Sequence, residues 1–309
     1  MHVYDDDEID LRELASAIWK GKWIILFITA IFSVASVFYA LSIPDEYKST
    51  VLLAPASSAG GSSLSKLAGQ YGGLASLAGI NLGGGGGDDK VAIAIEIIKS
   101  WGFLESFIEQ NNLQVPLLAA AGWNSSNNQL LIDSEVYNET TKNWVREFNS
   151  DKGQKAEPSS WELFKSIKDR LSISQDKTSG LVSLSVEYYS PDLAKLWAEK
   201  LVKAINANLQ LKDRDDAVKS ITYLKNKIQE TNISDMQTVF YQLIEEQTKS
   251  LMLAEVSEEY VFKTISSARV AEEKSKPKRA LIAIFGFALG GMLSLLTVLS
   301  YHFVSGKKK

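Results

Sequence analysis

Residues 272–309 read EEKSKPKRALIAIFGFALGGMLSLLTVLSYHFVSGKKK. An uncharged run from Ala280 to Phe303 stands between four cations (Lys274, Lys276, Lys278, Arg279) and three more (Lys307, Lys308, Lys309). As a helix it reaches roughly 30 Å or more, the thickness of bilayer hydrocarbon. It is too uniformly apolar for an ordinary core helix and reads as a transmembrane span, residues 280–303. A second run, WIILFITAIFSVASVFYALSI, covers residues 23–43 and has the same character. A cleaved signal peptide is the rival there, because Ala40–Ser42 forms a small-x-small site. The apolar core is too long for one, and 22 residues with an acidic DDDEID run precede it.

Arg12, Lys20 and Lys22 precede the first span, and only Lys48 follows closely. The positive-inside rule therefore puts the N-terminus in the cytoplasm, and two spans return the C-terminus there. The Lys274–Arg279 cluster is then placed on the far side, at the membrane surface, against its own charge count. A long polar region crosses largely regardless of charge. The expected organisation is a cytoplasmic tail (1–22), a span (23–43), an exterior domain (44–279), a span (280–303) and a short cytoplasmic tail (304–309).

Composition excludes several classes. The 309 residues carry a net charge of -4, which is unlike a nucleic-acid binder, and contain no cysteine. The two histidines, His2 and His302, lie too far apart for a helical metal pair. The Gly83–Gly87 run lacks the Gly-Lys-Ser/Thr that a phosphate-binding loop needs. Acid pairs Asp215–Asp216, Glu245–Glu246 and Glu258–Glu259 are adjacent, so their members point in different directions and read as solvated charges. No catalytic residue, metal site or cofactor is expected. The aromatic residues are scattered along the chain.

Between the spans, YKSTVLLAPA reads as a strand after Pro44, and a Gly/Ser-rich loop follows. In DDKVAIAIEIIKSWGFLESFIEQNNL, Ile93, Ile97, Trp101, Leu104 and Ile108 recur at helical spacing, with Asp88 or Asp89 as cap. Residues 112–158 are poorly periodic, with a helix expected around NETTKNWVREF. SSWELFKSIKDRLSISQD reads as a helix running into a strand. In SGLVSLSVEYYS, Val182, Leu184, Val186 and Tyr188 share one face. Ser190 and Pro191 then open a helix. From there to about Glu255 no proline or glycine appears, and a continuous helix would extend up to roughly 90 Å. The alternative is two antiparallel helices turning near Thr231; the continuous helix is the favoured reading. SEEYVFKTISSARV closes the region as a strand, expected to neighbour the first strand in one sheet.

Four segments carry a family likeness: EIDLRELASAIWKGKWIIL, GGLASLAGI with AIEIIKSWGFLESFIEQNNL, MQTVFYQLIEEQTKSLMLAEVSEEYVFKTISSARV, and PKRALIAIFGFALGG. Together they resemble the chain-length determinant (Wzz-type) polysaccharide co-polymerases of Gram-negative bacteria. The family's lead-in to its second span carries two earlier prolines, then Ser-Pro-Lys, eleven residues and Gly-x3-Gly. Here Pro277 and Lys278 match and Gly290 falls at the right spacing, while Ala268, Ala271, Lys276 and Ser294 depart. Gly286, Gly290 and Ser294 still form a small-xxx-small face for helix packing or oligomerisation.

The resemblance implies an α+β periplasmic domain, with a membrane-proximal α/β base and a long helical extension, between two transmembrane helices. It implies a ring-like homo-oligomer in the bacterial inner membrane. Its partners would be an integral-membrane polymerase, the growing glycan and inner-membrane lipid, with no nucleic acid. The expected function is non-enzymatic control of O-antigen or lipopolysaccharide chain length. The alternative is a capsule or exopolysaccharide export co-polymerase working with a separate kinase and an outer-membrane channel. No P-loop kinase motif stands in these 309 residues, so any kinase activity is expected to come from another chain.

Overall fold

The structure, a computed structural model, describes residues 18–56, 87–148 and 155–306, with side chains omitted for 87–89 and 302–306. The N-terminal tail before Ile18, the Gly/Ser-rich loop with its first four consecutive glycines, and Lys307–Lys309 lie outside the described residues. The chain divides into two compact units. One takes residues up to Glu46 and from Lys274 onward; the other is Tyr47–Glu273.

In chain order the helices are α1 (Lys22–Ser42), α2 (Gly87–Lys99), α3 (Trp101–Gln110), α4 (Gln114–Leu118), α5 (Ser160–Arg170), α6 (Pro191–Glu230), α7 (Ser234–Val256) and α8 (Arg279–Gly306). The strands used below are β1 (Glu46–Pro55), β2 (Ala120–Asn124), β3 (Gln129–Ile132), β4 (Tyr137–Asn138), β5 (Asn143–Trp144), β6 (Leu171–Gln175), β7 (Val182–Tyr188) and β8 (Phe262–Ser266).

The first unit is the helical pair α1 and α8. Both are long and apolar enough to cross a membrane. A soluble protein's core helix would bury its large side chains. Here Trp23, Phe27, Phe38, Phe285, Phe287 and Met292 are exposed, as lipid-facing residues would be.

In the second unit four strands pair in the order β6-β7-β1-β8, all antiparallel. The first and last strands are therefore neighbours, with Pro55 opposite Phe262. Val51 lies opposite Leu184 and Leu53 opposite Val182, and this inward face is fully buried. Val182, Leu184, Val186 and Tyr188 do share the core face. Helices α2, α3, α5 and the first half of α6 complete that core through Ile98, Leu104, Phe164, Trp197, Leu201 and Ile205.

Three expectations are corrected. The segment 87–110 is two helices, broken at Ser100, whose backbone is extended. Its buried face is Val91, Ala94 and Ile98, then Leu104 and Ile108, leaving Ile93 and Trp101 exposed. Asp88 and Asp89 stand inside α2 rather than at its cap. NETTKNWVREF contains the β4–β5 hairpin instead of a helix, turned through Lys142 at positive φ (54°). Asn138 caps that turn, its side chain accepting from the Thr140 and Thr141 amides.

The third correction concerns the long helix. α6 alone has 40 residues, a length of about 60 Å. It opens as expected, with Ser190 accepting from the Leu193 amide and Pro191 in the first turn. It then stops at Glu230, and α7 runs back antiparallel beside it. Thr231 and Ile233 adopt extended backbone, and Gln237 donates to the carbonyls of Ile228 and Thr231 (3.3 and 2.7 Å), which the helix end would leave bare. The fold-back buries Leu224 against Phe240 and Leu243. A continuous helix would leave that stripe in water.

Candidate functional site

The residues singled out in the second span gather in one seam with α1. A side-chain carbon on Gly286 would collide with Ser36. One on Gly290 would stand 2.6 Å from Phe32 Cβ and 3.2 Å from Thr29 Cα. Ser294 is fully buried; its hydroxyl donates to the Gly291 carbonyl at 2.7 Å and lies 3.4 Å from the Thr29 hydroxyl. Gly21 meets Val298 in the same way at one end. The small residues thus let two backbones approach, and each hydroxyl finds a partner without water. Ser33 and Ser36 likewise donate to the Thr29 and Ser33 carbonyls at 2.8 Å. The close approach of Gly286, Gly290 and Ser294 is to α1 of the same chain.

Pro277 and Lys278 start α8. The Lys278 carbonyl accepts from the Leu281 and Ile282 amides (2.9 and 3.2 Å), and the Pro277 carbonyl from the Arg279 amide (2.9 Å). The Lys276–Pro277 peptide is cis. Asp45, just past the end of α1, pairs with Arg279 Nη2 at 2.9 Å and Lys274 Nζ at 3.5 Å. Arg279 Nε also donates to the Ala40 carbonyl at 3.2 Å. The sequence alone placed this basic cluster at the membrane surface without a partner inside the chain. Lys274 and Arg279 have one within the chain, in Asp45, which nothing in its local sequence pattern marks.

In the Tyr47–Glu273 unit the polar groups act as ties. Asn206, buried on α6, accepts from the Val261 and Phe262 amides at 2.9 Å and donates to the Phe262 carbonyl at 3.0 Å. It stands in for a neighbouring strand at the start of β8. Asp213 accepts from Lys90 Nζ (2.9 Å) and the Tyr260 hydroxyl (2.6 Å). Burial, then the Asp213 carboxylate, pushes the Tyr260 phenol up. Burial also raises Tyr188, whose hydroxyl donates to the Pro116 carbonyl at 2.5 Å.

Arg146 grips Glu162 through two parallel bonds of 2.9 and 2.8 Å, and Glu162 closes a capping box with Ser159. The Arg146 hydrogen bond, opposed by modest burial and helped by the Ser159 amide, holds the Glu162 carboxyl at about 2.

Asp215, Asp216, Glu258 and Glu259 are exposed, as expected of solvated charges. Glu246 is not: it is buried, because on α7 it shares a face with Phe240 and Leu243, while Glu245 points outward to Lys249. Among the described residues no His, Cys, Asp or Glu cluster is arranged to hold a metal.

The architecture defined so far is a pair of helices of membrane-crossing length whose intervening sequence folds as an α+β unit. Residues 7–111 match the family model for Wzz, chain length determinant protein, so the likeness read from the sequence is shown over that part of the chain. No curated protein matches. Among solved structures, a full-length bacterial polysaccharide co-polymerase is similar at 14% identity and a TM-score of 0.40, over 97% of this chain and 99% of that one. A fragment of WzzB, a polysaccharide co-polymerase from Salmonella Typhimurium, is similar at 12% identity and a TM-score of 0.29, over 75% of this chain and 100% of that one.

Proposed function

We propose that this chain is a non-enzymatic regulator of surface-polysaccharide chain length. It works as an oligomeric two-span scaffold in the inner membrane, with residues 44–279 outside the cytoplasm. The observation that carries this reading is the match of residues 7–111 to the chain-length determinant model. That match takes in the first span and the first strand and helices of the domain. The α1–α8 seam fits the role of an anchor. Closely packed spans fix the spacing of the two chain ends that leave the bilayer.

In this reading the polymerase makes the polymer, and the scaffold biases where growth ends. O-antigen is the polysaccharide it would regulate. Deleting the gene and running the surface polysaccharide on a gel tests this. The expected result is a polymer of broadened, non-modal length. An unchanged ladder overturns the function. Loss of all surface polymer would instead fit capsule or exopolysaccharide export. A periplasm-dependent reporter fused near residue 150 tests the topology: it should be active, and an inactive one at normal level rejects the outside placement.

A further inference from the structure

Helices α3 and α5 bury their apolar residues with two exceptions. Phe103, Leu104, Phe107 and Ile108 on α3, and Leu163, Phe164 and Ile167 on α5, are all buried. Trp101 and Trp161 are 44% and 53% exposed. These two lie far apart in sequence but adjacent in space, with ring centroids 5.2 Å apart at 57°. Both rest on the buried Phe164 ring, Trp101 stacked at 5.9 Å and 19°, Trp161 tilted at 5.4 Å and 38°. The Trp101 indole N–H donates to the Ser160 hydroxyl at 2.6 Å, which fixes its ring plane.

Single exposed aromatic residues are ordinary, but two neighbours on different helices over a shared buried ring form a patch. Its surroundings are polar. Lys168 Nζ stands 5.4 Å from the Phe164 ring, exposed Lys165 lies one turn along α5 from Trp161, and space is open beside Gly102, where an added side-chain carbon would find nothing within 4 Å. No aliphatic side chain on either helix is exposed. A protein-docking centre is usually ringed by further apolar contacts, which are lacking on these helices. Flat π-faces amid hydrogen-bonding groups match a pyranose instead. One side of a sugar ring presents C–H bonds, and its rim presents hydroxyls.

We infer that Trp101 and Trp161 form a stacking platform for pyranose units of the polysaccharide whose length this chain regulates. The inference rests on the function proposed above. The rings are held before binding, so little ordering opposes contact. Each sugar contact is weak. Several subunits engaging one polymer would raise its residence through effective concentration.

The test uses the full chain in nanodiscs. Its probe is the surface polysaccharide of the strain carrying the gene, freed of lipid by mild acid. Hydroxyl-radical footprinting of the unmodified protein should show saturable protection of Trp101 and Trp161, with the other tryptophans unchanged. The double variant Trp101→Ala/Trp161→Ala should bind about tenfold more weakly, and Trp161→Tyr should retain most of the binding. Absent binding, protection confined to other sites, or protection of these indoles only by a protein partner overturns the platform. The footprint needs no variant, so a folding defect cannot mask the answer. The two claims fail separately. An unchanged ladder on gene deletion removes the function. A deletion that abolishes modality, beside a double variant that binds glycan as before, removes the platform alone.

Discussion

The α1–α8 pair and the Tyr47–Glu273 unit pack with opposite residues. The pair meets through Gly286, Gly290, Ser294, Thr29 and Ser36 and turns its large side chains outward. The other unit buries Trp197, Tyr188, Phe262 and Leu201 and turns its charges outward. The difference is the one that two solvents would impose. In water, burying large apolar area drives association, so bulk goes inside. In lipid that drive is absent, and close backbone approach with paired hydroxyls takes its place. Substitutions that remove bulk should therefore damage one unit, and substitutions that add bulk the other.

The largest expected effect is at Trp197. Its ring lies 4.4 Å from that of Tyr188, at the junction of α6 with the sheet. Trp197→Ala should destabilise the unit by about 3–5 kcal/mol, seen as a lowered denaturation midpoint. A change below about 1 kcal/mol would mean that α6 is not docked there. Next is Asn206→Leu. It keeps the branched shape but strips the partner from two amides and one carbonyl at the start of β8, at a cost of about 1–3 kcal/mol. Hydrogen exchange at Val261 and Phe262 should quicken first; unchanged protection would show that the tie is dispensable.

The reverse substitution tests the helical pair. Gly286→Leu/Gly290→Leu adds bulk where Ser36 and Phe32 already stand, at a cost of about 1–3 kcal/mol. The polymer ladder should broaden at normal protein level, and an unchanged ladder would separate the seam from function. The chain has no cysteine, so Thr29→Cys/Ser294→Cys reports the seam directly. Oxidation should give a cross-link within one chain, seen as a faster-migrating monomer on a gel. A dimer band would mean that these residues face another subunit. In the bulky double variant the intrachain cross-link should fall.

What was legible in the sequence was what is local or periodic. The two spans are uninterrupted apolar runs. β7 alternates, and Ser190-Pro191 is a start signal readable on its own. The first and last strands were placed together because both adjoin spans. The break after Glu230 was visible only as a candidate turn near Thr231, and the sequence alone did not decide between a continuous helix and a reversal. That choice depends on Leu224 meeting Phe240 and Leu243, which lie on the returning helix. Asp45 and Asn206 carry no local signal, because each acts on residues more than 50 positions away. The aromatic residues looked scattered for the same reason: α3 and α5 bring Trp101 and Trp161 together only in the folded unit.

The smallest expected effect concerns the Arg146–Glu162 pair, and its sign follows from the carboxyl's shift. Glu162 is held at about 2 in the folded protein, against an ordinary 4.5. A lowered folded value means stability that is fully present above about pH 4.5 and lost as pH falls through about 2. Both side chains are partly solvated, at 20% and 35% exposure, so the contribution should stay below about 1 kcal/mol after screening. Arg146→Met should lower the melting temperature slightly at pH 7 and at pH 5.5. The gap should narrow between pH 4.5 and pH 2 and close below that. It should not vanish entirely in the upper range at high salt, because the guanidinium–carboxylate bonds are bidentate and the Ser159 amide still holds Glu162. A gap that widened in acid would mean that the carboxyl is protonated in the native fold and that the ion pair with Arg146 is not what holds it.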